Sequence, residues 1–241
     1  MTGRGRRRRS RGLALVAAAT VSLSGCGAML GGASTAPDGT PLPSIDELYS
    51  ATRTATLGAD SGHVTGFVVE EVEGREVAVT VDLEGVLDGT NQRLKVTDDR
   101  SSSVVLTVGE SYYVTGDWDF WADAIGPQVA TGLVDRHVEV AQARAQDLGP
   151  YTIQEIVEDI MEPTSLGLLD RAGSSVSLRI DGDRTVIVGE TRNLEFWVDQ
   201  RSRRLVRLVS LDTVPGGELV FDRWDEAKTF RTPKRIVQLD G

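Results

Sequence analysis

Two histidines are the residues of this chain best suited to acid–base chemistry, but the sequence around them offers no nucleophile. His63 and His137 lie far apart, neither has a serine or cysteine motif beside it, and the Gly-x-Ser-x-Gly pattern of hydrolases is absent. Adjacent acids such as Glu70 and Glu71 point to opposite sides of a strand, which is typical of solvated surface. These patterns predict that the protein is not an enzyme.

Three aspartates near the middle of the chain have the composition of a calcium loop but not its pattern. Asp117, Asp119 and Asp123 could be ligands of such a loop. If Asp117 is its first residue, however, Trp121 and Ala122 occupy positions five and six, where an EF-hand needs an acid or amide and then a glycine. The chain has 1 cysteine and 2 histidines, so an internal disulfide is impossible and the usual zinc spacings are absent. We therefore expect no metal and no cofactor.

The cysteine has a position that gives it a chemical role. Residues 4–11 are rich in arginine, and Leu13 to Leu23 is an apolar run too short for the roughly 20 residues of a membrane-spanning helix. A basic segment, a short apolar segment and small residues predict a secretory signal peptide over residues 1–25. The absence of an aromatic residue and leucine after Arg8-Arg9 favours general secretion over the twin-arginine route.

The residues at the end of this segment, Leu23-Ser24-Gly25-Cys26, resemble the bacterial lipobox, in which cleavage precedes a cysteine that is then acylated. Two or three acyl chains, at roughly 0.8 kcal/mol per buried CH₂, anchor a protein stably. The sequence thus predicts lipidation at Cys26 and attachment to the extracytoplasmic face of the cell membrane. The alternative is that Cys26 is an ordinary small buried residue.

Charge separates the leader from the rest of the chain. The net charge is −10, yet residues 1–25 contain six arginines and no acid, so residues 26–241 hold 20 basic and 36 acidic residues, a net charge of −16. Phosphate backbones repel such a body, and we expect no nucleic-acid partner. Because 40% of residues are hydrophobic, a packed core is expected.

The domain organisation follows from a change of composition near residue 44. Residues 26–43 are predicted to be a lipidated flexible tether, because they are rich in Gly, Ala, Ser, Thr and Pro; a tether of this length has an end-to-end distance of about 20–25 Å. Residues 44–241 are predicted to form a single domain. Its first helix begins at a capping box, Ser44 with Glu47, and ends near Gly58.

Alternating apolar and polar residues predict strands on both sides of a helical middle. The first strands cover residues 62–70, 76–84, 92–97, 103–109 and 111–115, and short turns between them indicate an antiparallel meander. Helical character follows over 121–173, with a second capping box at Thr152–Glu155 and a short helix over 164–171. Strands resume over 176–180, 184–189, 193–199, 204–211 and 218–224. This order predicts an α+β fold with helices against one face of an antiparallel sheet.

Several apolar faces are candidates for the wall of a ligand cavity. The candidates are Val77, Val79, Val81, Leu83, Val104, Leu106, Val108, Ile156, Val157 and Ile160. The same alternation occurs in any half-buried sheet, so an ordinary core is the alternative for each residue. Likewise, Trp118, Phe120 and Trp121 either form an apolar lip or cap a core.

Three segments, taken in order, carry a resemblance to a known family. They are Leu48 to Gly66, Val108 to Asp117 with Phe120-Trp121, and the series Phe196–Asp199, Leu205–Leu208 and Phe221–Trp224. Together they resemble the actinobacterial lipoproteins related to the LppX/LprG group, whose fold is shared with the LolA and LolB carriers. The resemblance covers about residues 45–235. It implies a curved antiparallel sheet, a half-barrel, with helices covering the concave face.

The resemblance also implies a function. Members of the group bind or move lipids and glycolipids, so we expect a membrane-anchored lipoprotein that binds or carries a lipid-like apolar ligand between sheet and helices. The expected partners are the membrane, through lipidated Cys26, and a lipid or glycolipid ligand. The alternative is an envelope adaptor that carries nothing and docks a protein partner with its acidic surface.

Overall fold

The computed structural model describes residues 35–36, 41–72, 74–147, 152–162, 174–212 and 216–238. The predicted signal peptide, Cys26, most of the tether and the predicted helix over 164–171 lie outside the described residues. The end of the tether is described: Leu42 packs against the main hydrophobic core.

The described elements follow the predicted order. The helices are α1 (Ile45–Leu57), α2 (Trp118–Ile125), α3 (Pro127–Ala130), α4 (Gln142–Asp147) and α5 (Ile153–Ile160). The first strands are β1 (Ser61–Val72), β2 (Arg75–Val86), β3 (Asn91–Thr97), β4 (Ser102–Val108), β5 (Ser111–Gly116) and β6 (His137–Val140). The later strands are β7 (Ser175–Asp181), β8 (Arg184–Glu190), β9 (Leu194–Asp199), β10 (Leu205–Ser210), β11 (Gly216–Asp222) and β12 (Ile236–Gln238).

These twelve described strands form one sheet in the order β12-β6-β5-β4-β3-β2-β1-β11-β10-β9-β8-β7. Neighbouring strands are antiparallel except β12 and β6, which are parallel. The predicted α+β class and the five-strand meander are confirmed. Two short strands, β6 and β12, were not predicted; β6 lies within the stretch expected to be helical.

The register defines two faces of the sheet. Phe221, Val64, Leu83, Leu94 and Val105 are direct partners in one row across β11, β1, β2, β3 and β4. Helices α1 and α5 pack in the same core cluster as the first four of these residues, and α2 packs against Val105. We call the helix-covered side the inner face and the opposite side the outer face.

Helices α1 and α5 are stabilised at their starts and tied to each other. Both predicted capping boxes form, with Ser44 and Thr152 as N-caps. Thr56 Oγ1 of α1 accepts a hydrogen bond from Leu205 N at 3.0 Å, and the Tyr49 hydroxyl donates to Met161 O after α5. These bonds hold both helices against the inner face.

Gly66 allows strands β1 and β11 to approach closely on the inner face. Its φ is +153°, and a Cβ at this position would lie 1.9 Å from Glu218 O. Glycine in a strand interior commonly marks such a bend or close backbone approach. Gly66 therefore contributes to the curvature of the sheet.

After β11 the chain crosses the outer face in a segment, Arg223–Gln238, that we call the strap. Arg223 Nη1 donates to Glu84 Oε1 at 2.7 Å, and Lys228 N donates to the same oxygen at 3.2 Å. Farther along, Phe230 N donates to Asn91 Oδ1 at 2.8 Å and Asn91 Nδ2 donates to Phe230 O at 3.0 Å. The strap ends as β12 beside β6.

The fixed ends of the strap determine its path. From Phe230, bound to Asn91 of β3, to Ile236, which lies beyond β6, the chain passes β4, β5 and β6 and moves about four residues along them, which requires a nearly extended path. Near the middle of this path lie the register partners Leu106 and Tyr113, which are only 9% and 4% exposed. The strap is thus the described segment that crosses the outer face of β4 and β5.

Candidate functional site

The predicted cavity residues of β2 and α5 meet on the inner face. Val77 and Leu83 are buried, whereas Val79 and Val81 are half-buried. Val157 and Ile160 of α5 belong to the same core cluster as Leu83, and Ile156 packs against its edge. Leu83, Val81 and the three α5 residues therefore belong to one packed region.

The predicted cavity residues of β4 lie on the wrong face for this site. Val104 is the partner of Lys95 and Leu106 the partner of Arg93, whereas Val105 pairs with inner-face Leu94. Val108 shares the outer face with Val104 and Leu106 by strand alternation. The prediction that these three residues line the same wall as Leu83 is wrong. Strand β4 is apolar on both sides: Val105 packs with α2 residues on the inner side, and Leu106 is buried on the outer side.

Beneath α5 the inner face is packed with side chains. Val64, Leu83 and Leu94 of the sheet and Ile153 and Val157 of the helix belong to one cluster, and none is more than 2% exposed. The space that was predicted to be a cavity at this place is filled by these residues.

Beyond this core the inner face carries a strip of half-buried valines, which we call the valine strip. It consists of Val68, Val79, Val81 and Val96 on β1, β2 and β3. Val68 pairs with Val79, and Val81 pairs with Val96. The strip is apolar and incompletely covered by the described residues, so it provides a surface on which an apolar ligand can be buried.

Two buried polar groups lie on the half of the inner face over β4 and β5. Thr107 and Trp121 are each 3% exposed, and neither Thr107 Oγ1 nor Trp121 Nε1 has a hydrogen-bond partner among the described residues. Most buried polar atoms in folded proteins are hydrogen-bonded to protein or to ordered water. A ligand polar group or a water molecule would satisfy these two atoms. Thr107 was not among the predicted site residues, although a threonine within an apolar strand is a signal that the sequence contains.

A hollow of about 390 Å³ lies between α1 and the end of α5, lined by Tyr49, Ser50, Arg53, Thr54, Met161 and Glu162. Burial raises the pKa of the Tyr49 hydroxyl, while the nearby Arg53 guanidinium opposes that shift. A second hollow, of about 220 Å³, opens at the ends of β3 to β5 beside Lys95, Ser102 and Asp117. The first is lined mainly by polar surface, whereas polar and apolar surface contribute about equally to the second, whose lining includes Val104. Neither lining includes the predicted aliphatic residues of β2 and α5.

The aromatic residues Trp118, Phe120 and Trp121 were expected either to form an apolar lip or to cap a core, and the structure shows both arrangements. Trp121 is buried in the core under β4 and β5, and Phe120 packs edge-on against it with ring centroids 4.9 Å apart. Trp118 is 44% exposed at the start of α2. Two of the three rings therefore cap a core, and one faces outward.

The titratable residues considered for chemistry serve as links between elements. His63 Nδ1 lies 2.6 Å from Asp222 Oδ1, and its Nε2 lies 3.4 Å from Asp82 Oδ1, which joins β1, β2 and β11 on the outer face. Asp117 caps α2 by accepting from Phe120 N at 2.9 Å. Within the described ranges, no three His, Cys, Asp or Glu residues are grouped to hold a metal ion.

Within the described part of the chain, every helix is too short or too polar to cross a bilayer.

Comparison with known proteins gives likenesses of fold. No protein-family model and no curated protein matches the chain. Among solved structures, LprF from Mycobacterium bovis is 14% identical with a TM-score of 0.47, covering 80% of this chain and 98% of that chain. The Mycobacterium tuberculosis lipoprotein LppX is 17% identical with a TM-score of 0.42, covering 76% and 97%. A LolA superfamily protein, NE2245 from Nitrosomonas europaea, is 10% identical with a TM-score of 0.25, covering 80% and 96%.

Proposed function

We propose that this protein is a membrane-anchored extracytoplasmic lipoprotein that binds or carries a lipid-like apolar molecule on the inner face of its sheet. The observation that carries the proposal is the valine strip, an apolar surface that continues beyond the packed core and stays half-buried. Each CH₂ of an acyl chain that leaves water for such a surface contributes about 0.8 kcal/mol.

Thr107 and Trp121 support a ligand that also has a polar group. Thr107 lies on the inner face, on the opposite side of the packed Leu83–Leu94–Val105 row from the valine strip, and Trp121 packs beside Val105. Each has a buried donor without a partner among the described residues. A lipid whose headgroup or ester linkage accepts hydrogen bonds from them combines apolar burial with polar recognition, as ligand sites usually do.

The lipobox at Leu23–Cys26 supports the anchor. In the proposed arrangement, residues 1–25 are removed as a signal peptide, Cys26 carries the acyl chains, and residues 26–43 tether the domain over 44–241. The start of α1 at Ile45, directly after the tether, agrees with this division.

The test is native mass spectrometry of the protein purified from its own host, followed by organic extraction. We expect a lipid in stoichiometric amount. Val79→Trp, which fills the valine strip, should lower lipid loading by half or more while the domain still folds. Val86→Trp is the matched control, because Val86 lies on the same strand but is 36% exposed on the outer face; it should leave loading unchanged.

Two outcomes would contradict the proposal. Protein that carries no lipid, in a wild-type form whose inner face is fully packed, would favour the adaptor alternative. Equal loss of lipid in the Val79→Trp and Val86→Trp variants would show that the inner face is not the binding surface.

A further inference from the structure

The strap concentrates positive charge on an acidic protein. Residues 227–238 include Lys228, Arg231, Lys234 and Arg235 and no acid, whereas residues 26–241 as a whole carry a net charge of −16. All four of these cationic residues are exposed. The outer face over β3 to β6 is therefore crossed by a line of exposed cations.

These cations are not neutralised by neighbouring side chains. Within the described ranges, none of the four forms an ion pair, in contrast with Arg223, which binds Glu84, and Arg204, which binds Asp225. The bonds to Glu84 and Asn91 and the pairing with β6 hold the strap at several points. The charges are thus presented by a fixed segment of the fold.

The arrangement of the cations indicates the kind of partner. In an extended chain they are spread over more than about 20 Å, since each residue advances roughly 3.3 Å. The residues between them include Thr229, Thr232 and Pro233, and no large apolar side chain of the strap is exposed. Tight protein interfaces are centred on buried aromatic and arginine anchors, whereas a line of solvated cations suits a surface of many dispersed anionic groups.

We propose that the strap binds anionic phospholipid headgroups and holds the outer face of the sheet against the membrane. The inference rests on the proposed anchor at Cys26, which brings a bilayer within reach: a tether of about 17 residues extends up to roughly 55 Å. The strap itself contains two acids, Asp225, which binds Arg204, and exposed Glu226. Acids farther than about 8 Å from the membrane surface oppose binding only weakly, because their charges are screened at physiological salt.

The test uses the chain from Cys26 to Gly241, which keeps every described residue, with Cys26→Ala to prevent acylation. Binding is measured by flotation with neutral phosphatidylcholine vesicles and with vesicles containing 30% phosphatidylglycerol. We expect binding to the anionic vesicles, weaker binding as salt is raised, and little binding to neutral vesicles. Each Lys or Arg near an anionic surface strengthens partition roughly fivefold, so the triple variant Arg231→Gln, Lys234→Gln, Arg235→Gln should bind about 100-fold more weakly.

The matched control is Arg100→Gln, Arg192→Gln, Arg201→Gln, which removes the same charge from exposed turns elsewhere. It should weaken binding by less than threefold, and melting curves verify that both triple variants fold. Equal loss in the two variants, or equal binding to neutral vesicles, would overturn the proposal. Binding to polyglutamate beads without binding to anionic vesicles would also overturn it, and would assign the strap to an acidic protein. A failed anchor shows separately, as release of the wild-type protein from membranes in its host.

Discussion

At the scale of single residues, buried polar atoms fall into two groups: those bonded within the fold and those of the candidate site, which have no partner among the described residues. Glu84 is 5% exposed, but its carboxylate accepts from Arg223 and from the Lys228 backbone, so its burial supports the strap. Thr107 is equally buried and its hydroxyl has no partner among the described residues. Burial without a partner costs about 1–3 kcal/mol, and this cost is tolerated more readily where a ligand supplies the missing bond.

Replacing Thr107 separates these roles. Thr107→Val removes an unbonded hydroxyl and keeps the shape of the side chain. We therefore expect the free energy of unfolding, measured in urea, to rise by about 1 kcal/mol and lipid loading to fall. Thr56→Val is the control, because Thr56 Oγ1 accepts from buried Leu205 N; it should cost about 1–2 kcal/mol. If Thr107→Val is as destabilising as Thr56→Val, the hydroxyl is bonded in the free protein and the proposed ligand contact is wrong.

At the scale of elements, the sequence predicted helices that begin at local motifs but not strands that depend on pairing with distant residues. The capping boxes at Ser44 and Thr152 are complete within four residues, and both helices begin where they predict. Strands β6 and β12 have four and three residues, so neither is long enough for its alternation to be recognised. Strand β6 forms because it pairs with β5, and β12 forms because it pairs with β6.

The candidate site was only partly predictable for the same reason. The alternation in β2 correctly grouped Val77, Val79, Val81 and Leu83, because one side of that strand is polar. In β4 the run Val104-Val105-Leu106 offers two apolar faces, and only the pairing with β3 shows which one faces the helices. The strap that crosses the outer face lies more than 100 residues later in the chain. The local pattern of β4 therefore does not indicate it.

The close approach of β1 and β11 can be tested at Gly66. Gly66→Ala places a methyl group against the Glu218 carbonyl, so we expect a loss of about 3 kcal/mol or more in the free energy of unfolding. Gly74→Ala is the control: its φ is +76° but nothing lies within 4 Å of an added Cβ, and it should cost only about 1–2 kcal/mol. Equal losses in thermal or urea unfolding would mean that backbone conformation, and not the strand contact, makes glycine necessary at residue 66.

At the scale of the whole molecule, the sheet separates two surfaces with different chemistry. The inner face combines a packed core under α1 and α5 with the valine strip, and the outer face carries the cationic strap. In the proposed arrangement, the acyl chains at Cys26 hold the protein at the membrane and the strap orients it there. The two contributions differ in strength and in salt dependence, so one experiment can separate them.

Cys26→Ala should abolish acylation and leave either uncleaved precursor or protein released from the membrane. Two or three acyl chains contribute roughly 0.8 kcal/mol per buried CH₂, far more than a few exposed cations, so the strap alone should retain only a small part of the released form at physiological salt. Membrane fractionation and the intact mass measure the outcome, and Ser24→Ala, which keeps a small residue before the cleavage site, should be processed normally. A Cys26→Ala protein that stays fully in the membrane fraction with the mass of the mature wild type would show that lipidation is not the anchor. If that protein is then released by high salt, the strap is the stronger attachment.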